Sequence, residues 1–143
     1  MMLLTRFARL RGTEKKLLIE AALTIIAVRV ALMTIPFAVV ARWIKGSGVA
    51  DSLRAPSRSV STIDWAVHAT SRRIPGSSCL CCALTAQRLL RAAGIESNLR
   101  LGVAKNEQQF QAHAWLENAS GVIFGSDQQT SYAPLPKLEF ETR

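Results

Sequence analysis

The spacing of the apolar residues changes at Gly94, and this change constrains the fold more than any other feature of the chain. Residues 79–93 are apolar almost all round a helix, which predicts a buried central helix that ends at Gly94. After Gly94 the apolar residues alternate along 99–103 and along 110–116, which predicts two strands. The sequence therefore predicts an α+β fold, in which the central helix packs on a small antiparallel sheet.

Length and charge limit the class of protein. At 143 residues the chain is one domain by length, with a helical N-terminal region at 1–45 and a core at 60–136. Eighteen Lys and Arg against ten Asp and Glu give a net charge of +8, which implies an acidic partner such as a peptide, a membrane surface or nucleic acid. Aromatic residues make up only 6%, with no aromatic-rich basic strand, so we do not expect nucleic acid to be the partner.

Residues 17–43 form a long apolar run that follows a basic segment at 1–16. A signal peptide fits poorly, because the basic segment is too long and no small-residue cleavage site follows the apolar run. A membrane-spanning helix fits the length, but Arg29 would lie near its centre and Pro36 would break it. We favour two helices packed on the rest of the domain. Contact of the basic start with an anionic lipid surface is compatible with this interpretation.

The boundaries of these helices follow from capping residues. Thr13 is the predicted N-cap of the first helix, over 13–34, and Pro36 is expected in the first turn of the second, over 36–45. A connection rich in Gly, Ser, Ala and Pro follows, and helical spacing returns over 61–73.

The segment before the central helix has the composition of a helix start. Pro75 and Gly76 turn the chain, and Ser77 or Ser78 supplies an N-cap hydroxyl, which leaves Cys79 in the first turn. Unpaired backbone N–H groups and the positive end of the helix dipole favour a thiolate at such a position. The same N–H groups can receive an oxyanion that develops during a reaction. Cys79 is therefore the candidate nucleophile.

Two further cysteines, Cys81 and Cys82, follow on the same helix. On the helical wheel neither fully shares the direction of Cys79, so both are interpreted as small buried apolar residues. Three cysteines this close together cannot form an ordinary framework of paired disulfides, which predicts a reducing, cytoplasmic location. The alternative is a zinc site formed by these cysteines with His113, since zinc prefers thiolate and imidazole ligands.

The candidate base is His113, in the strand run Ala112-His113-Ala114-Trp115. Strand alternation places His113 and Trp115 on the face opposite Leu116, and we expect both to cover the Cys79 helix. A cysteine with a histidine supplies a sulfur nucleophile and a base to ionise it.

The group that orients His113 depends on the turn after this strand. A three-residue loop, Ala119-Ser120-Gly121, would place Asp127 opposite His113, whereas a four-residue loop would place Ser126 there. We favour Asp127, because a carboxylate both fixes the tautomer of an imidazole and stabilises the imidazolium.

The motifs across residues 60–136 form a set: Pro75-Gly76-Ser77-Ser78-Cys79-Leu80, Ala83-Leu84, Leu89-Leu90-Arg91, Gly94-Ile95, Leu101-Gly102-Val103 and Ala112-His113-Ala114-Trp115. This set resembles the transglutaminase-like leader peptidases of lasso-peptide biosynthesis, often called the B proteins. The resemblance implies a papain-like and transglutaminase-like fold. It also implies a triad in which Cys79 is the nucleophile, His113 the base and Asp127 the orienting group, and which hydrolyses the leader from a ribosomally made precursor. No metal or organic cofactor is implied.

The helical first third does not look like the small winged-helix leader-recognition module of some family members, so the resemblance is to the stand-alone type. It implies a precursor peptide as substrate, a separate leader-binding recognition protein and an ATP-dependent macrolactam synthetase that closes the ring. Two other functions stay open: a zinc-binding module, and a catalytically silent transglutaminase-like scaffold that only binds a peptide. Loss of zinc in Cys81 and Cys82 variants would favour the first, and loss of cleavage in the Cys79 variant alone would reject both.

Overall fold

The computed structural model describes residues 5–6, 8–46, 58–106, 109–125 and 133–134. Their helices are α1 (Gly12–Thr34), α2 (Phe37–Gly46), α3 (Val60–Ser71) and α4 (Cys79–Ala92), and their strands are β1 (Asn98–Asn106), β2 (Gln109–Asn118), β3 (Gly121–Phe124) and β4 (Ala133–Pro134). The strands form one antiparallel sheet in the order β3-β2-β1-β4, in which the edge strand β4 is two residues long. The predicted α+β fold class is confirmed.

Helix α4 is the buried centre of the fold, as its apolar composition predicts. Its side chains are buried without interruption from Cys81 to Gln87, and again at Leu89 and Leu90. One cluster of core residues joins α4 to α1, α3 and the sheet, and a second joins it to α1 and α2. Because α4 is packed on several sides, the first residue of the helix is held in a fixed position relative to β2.

The first two helices begin within one residue of the predicted positions, but the predicted N-cap Thr13 is wrong, since Arg11 is the N-cap of α1. Helix α1 begins at Gly12 rather than after a Thr13 cap, because the Glu14 carboxylate reaches back and accepts the Arg11 N–H at 2.9 Å. Pro36 lies just before α2 rather than in its first turn. Both helices are otherwise where their apolar runs predict them.

The turn between β2 and β3 differs from the predicted three-residue loop. Asn118 pairs with Gly121, so the loop has two residues, and the Asn118 side-chain oxygen accepts the Ser120 N–H at 2.8 Å. A β-bulge follows, after which Leu116 pairs with Phe124, which is the register that the three-residue loop predicted. Asp127 and Ser126, whose placement opposite His113 depended on this register, lie outside the described residues.

The expectation that His113 and Trp115 cover the Cys79 helix is wrong. The residues of β2 that join the core cluster with α4 are Ala114 and Leu116, which lie on one face of the strand. His113 and Trp115 belong to the other face, where their rings stack with centroids 6.1 Å apart. The alternation along β2 was therefore predicted correctly. The error was in which face packs on α4, since it is the face of Ala114 and Leu116.

Candidate active site

Cys79 is the first residue of α4, and its position follows from the capping of that helix. The Ser78 hydroxyl accepts the Cys81 N–H at 3.2 Å, so Ser78 is the N-cap, while Ser77 donates its hydroxyl to the Ile74 carbonyl at 2.8 Å. The N–H groups of the first residues of α4 have no carbonyl to bond within the helix. An exposed thiol is thus placed at the positive end of a buried helix.

The Cys79 thiol lies against the backbone of β2. Its Sγ is 3.8 Å from the carbonyl oxygen of Ala112, the residue directly before His113. Residues that are 33 positions apart in sequence therefore meet where the start of α4 reaches the sheet. The structure therefore brings the candidate nucleophile to the backbone of the strand that carries the candidate base, whereas the His113 ring lies on the face of β2 opposite the residues that pack on α4.

The His113 ring is held by a backbone carbonyl. Its Nε2 lies 3.1 Å from the oxygen of Gly125, the residue that follows β3. In the tautomer with hydrogen on Nε2, this nitrogen donates to Gly125 and Nδ1 carries the basic lone pair. The Gly125 carbonyl fixes both the orientation of the ring and the nitrogen that accepts a proton. Sequence analysis did not identify Gly125, although a glycine directly after a strand is a signal for unusual backbone geometry.

Only glycine fits at position 125. Its φ of +79° lies in the left-handed region that other residues avoid. A Cβ there would lie 3.2 Å from both the Ala114 carbonyl oxygen and the Trp115 Cβ, which is tighter than ordinary contact. The close approach of Gly125 to β2 is what places its carbonyl within reach of His113.

Cys81 and Cys82 are buried, as predicted, whereas Cys79 is exposed. The Cys81 Sγ contacts the Ile25 carbonyl of α1 at 3.5 Å. Burial, reinforced by Cys82 and opposed by Arg29, raises the pKa of Cys81 to about 11. Burial also raises the pKa of Cys82. Burial therefore disfavours the thiolate form of both sulfurs. Within the described part of the chain, no group of three or more His, Cys, Asp or Glu side chains is placed to hold a metal ion.

A model of the transglutaminase-like superfamily matches residues 22–137. The chain belongs to the transglutaminase-like superfamily. This superfamily includes cysteine peptidases, and cysteine protease and transglutaminase activities are common on its fold. The match begins within α1 and includes Cys79, His113 and Asp127. Comparison with curated proteins and comparison with solved structures each returned no match.

In this transglutaminase-like domain, Arg29 ties α1 to the loop that precedes the candidate nucleophile. Its guanidinium donates to the carbonyl of Pro75 and lies against Gly76. Gly76 has a φ of +79°, and a Cβ there would collide with the guanidinium. The arginine that interrupts the apolar run of α1 therefore has a structural partner, which supports the loop leading to Cys79.

Replacing Arg29 with methionine should destabilise the transglutaminase-like domain. The variant keeps most of the aliphatic length but removes the charged donor of the Pro75 carbonyl. Because water can replace this donor at an exposed carbonyl, we expect a loss of about 1 kcal/mol in the free energy of unfolding. Urea denaturation of the wild type and the variant measures the difference. Arg42→Met, which removes an exposed arginine from α2, is the matched control and should stay within ~0.5 kcal/mol of the wild type. Equal losses in the two variants would contradict a specific role for Arg29.

Proposed function

We propose that this protein is a cysteine peptidase that removes the leader peptide from a ribosomally made lasso-peptide precursor. The observation that carries the proposal is the exposed Cys79 thiol at the start of α4. This thiol contacts the carbonyl of Ala112, the residue that precedes His113 in β2. The motifs shared with the leader peptidases of lasso-peptide biosynthesis supply the substrate class. Cys79 is the nucleophile, His113 the base and Asp127 the orienting group.

For the proposed reaction to begin, the His113 ring, which lies on the face of β2 opposite the residues that pack on α4, must reach the thiol at the exposed start of that helix. It then takes the proton of the Cys79 thiol, and the thiolate attacks the carbonyl of the scissile bond. The N–H of Cys79 donates to the oxyanion that forms. The His113 imidazolium then protonates the leaving amine, which releases the core peptide with a free N-terminus. The leader remains as a thioester on Cys79 until water, deprotonated by the same imidazole, hydrolyses it. Catalytic hydrogen bonds of this kind commonly tighten when the substrate binds.

The Gly125 carbonyl is consistent with this assignment of protons. Because it accepts from Nε2, the nitrogen that works on the sulfur is Nδ1. A carbonyl dipole also stabilises the imidazolium, although less than a full negative charge does. In the proposed triad, the Asp127 carboxylate, two residues beyond Gly125 in sequence, shares the Nε2 hydrogen with the Gly125 carbonyl and supplies that charge.

The product determines which partners the peptidase needs. A core peptide with a free amine is the form that a macrolactam synthetase joins to a carboxylate side chain, so leader removal precedes ring closure. As a stand-alone peptidase, the protein would receive its substrate from a separate leader-binding protein in the cytoplasm. The positive net charge of the chain suits an acidic surface on the substrate or on that partner.

Mass spectrometry of a precursor peptide, incubated with this protein and its leader-binding partner, tests the proposed function. We expect two new masses that correspond to the leader and the core. Protein whose thiol has been blocked beforehand with iodoacetamide should leave the precursor intact, which separates this activity from a contaminating metallopeptidase. An intact precursor with unblocked protein, while the partner demonstrably binds the leader, would instead identify a silent peptide-binding scaffold.

The blocking step itself gives a prediction. Brief treatment with iodoacetamide at about pH 8 should add one group per native protein, at Cys79, because alkylation needs an accessible thiolate. Cys81 and Cys82 are buried and their raised pKa values keep them protonated. Intact-protein mass spectrometry counts the added groups, and the same treatment in urea should modify all three cysteines. Native protein that takes up two or three groups would show that the inner cysteines are open to solvent.

A further inference from the structure

Helix α1 carries an exposed apolar stripe along its whole outer side. The stripe residues recur every three or four positions, which places them on one face, and their exposed fractions run from 49% to 77%: Ile19, Leu23, Ile26, Val30 and Met33. The opposite side of the helix is buried in the core through Leu17, Ala21, Ile25 and Val28. From Ile19 to Met33 the helix rises by ~1.5 Å per residue, so the stripe is about 20 Å long.

The apolar surface continues from α1 onto α2. Trp43 is 59% exposed. A groove of about 480 Å³ runs between these helices and reaches α4, lined by Leu23, Ala27, Ala31, Trp43, Ile44 and Arg88 among others. An indole at the edge of an apolar surface is suited to the boundary between hydrocarbon and water.

Basic side chains border this surface. Arg6, Arg9, Arg11 and Lys16 are exposed at the N-terminal end of the stripe, and Arg42 is exposed next to Trp43. The two acidic residues of α1 each have a partner, since Glu14 accepts the Arg11 N–H and Glu20 pairs with Arg58 at 2.8 Å. The surface therefore offers apolar area bordered by an excess of positive charge.

We propose that this surface, the α1 stripe with Trp43 and the bordering arginines, docks the protein onto an anionic lipid surface. The stripe would enter the boundary between headgroups and acyl chains while the basic residues contact lipid phosphates. A second copy of the chain is a poorer occupant, because the basic residues that border the stripe outnumber the two carboxylates of α1, Glu14 and Glu20, and both carboxylates already have partners. This inference concerns location and is independent of the proposed peptidase activity.

The same helix is long and apolar enough to cross a membrane, with a mean hydropathy of 2.0, but its packing favours lying on the surface. Its inner side contributes core residues that pack with α3 and α4. Arg29 is bound to the Pro75 carbonyl at the same time. Spanning the bilayer would require all of these contacts to be broken, whereas docking in the plane of the membrane keeps them.

Co-sedimentation of the full chain with vesicles tests this docking surface. We expect binding to vesicles of equal parts phosphatidylglycerol and phosphatidylcholine, and at least ~10-fold weaker binding to pure phosphatidylcholine or in high salt. Two variants should each weaken binding by at least ~10-fold: Leu23→Gln with Ile26→Gln, and Arg9→Glu with Arg11→Glu. Trp43→Ala should also weaken binding, because Trp43 belongs to the proposed surface. Trp65→Ala, which removes an exposed tryptophan from α3, is its matched control and should bind like the wild type.

Three results would overturn the proposal. Equal binding to neutral and anionic vesicles, or none to either, would contradict recognition of anionic lipid. Protein from expressing cells that stays in the membrane pellet after alkaline carbonate treatment would indicate a span instead. A dimer in light scattering that the Leu23 and Ile26 variant dissociates would indicate that a second copy covers the stripe. Unchanged circular dichroism in each variant excludes misfolding, and peptide cleavage without lipid should stay at the wild-type rate.

Discussion

Replacing Cys79 with alanine is expected to abolish cleavage of the precursor while leaving the protein folded. The thiol forms the thioester intermediate, so its removal takes away the reaction path and lowers kcat by at least ~10³-fold. Stability should change little, because the side chain is exposed and its contact with the Ala112 carbonyl at 3.8 Å is weak. Quantitative mass spectrometry of the core peptide over time gives the rates, and urea denaturation gives the stability.

Cys82→Ala is the matched control for this result. It removes a sulfur three residues away on the same helix, from a buried position in the core cluster. We expect the reverse pattern, with a loss of ~1 kcal/mol in the free energy of unfolding and cleavage close to the wild-type rate. Cleavage that survives Cys79→Ala, or that is lost equally in both variants, would contradict the assignment of Cys79 as nucleophile.

Replacing Gly125 with alanine should also impair cleavage, although this residue carries no reactive group. An added Cβ meets the backbone of Ala114 and the Trp115 Cβ at 3.2 Å, so the chain after β3 must move away from β2. The carbonyl that holds Nε2 of His113 moves with it by a fraction of an ångström. Because a displacement of about 1 Å in a positioned group costs ~100-fold in rate, we expect this smaller shift to lower kcat by ~10-fold. Strain at the positive φ adds a loss of ~1–3 kcal/mol in stability. The measurements are kcat at saturating precursor and the urea midpoint.

Gly121→Ala separates strain from contact. Gly121 also has a positive φ, +117°, but no atom lies within 4 Å of the position its Cβ would take. This variant should lose stability to a similar extent while its kcat stays within about threefold of the wild type. A ratio of kcat values near one between the two variants would show that the Gly125 carbonyl does not position His113.

The elements that the sequence predicts well are those specified by neighbouring residues. The central helix and the place of Cys79 at its start follow from a Pro-Gly turn, a serine cap and an uninterrupted apolar run, all within about 20 residues. The strands follow from alternation, and His113 lies in β2 as predicted. A local pattern gives the type of an element because the pattern and the element share the same period.

The features that sequence analysis missed depend on contacts between distant segments. Alternation shows that β2 has two faces, but only packing decides that Ala114 and Leu116 are the residues that meet α4. The β-bulge before Phe124 offsets the short turn, and no residue type specifies it. The Gly125 carbonyl at His113 results from that local geometry. For the same reason Arg29 was interpreted only as an obstacle to a membrane span, since its partner Pro75 is 46 residues away.

The two sides of helix α1 have different roles, and the helix connects them rigidly. Its outer side carries the exposed stripe, and its inner side holds, through Arg29, the loop that sets the start of α4. A helix is stiff over this length, so a force that tilts α1 at its outer side reaches the Pro75 carbonyl at its inner side. A shortened protein that began after residue 46 would keep Cys79 and His113 but would lose the contact between Arg29 and the Pro75 carbonyl. Such a fragment would contain Cys79 and His113 but would lack the helix that holds the loop before Cys79 in place.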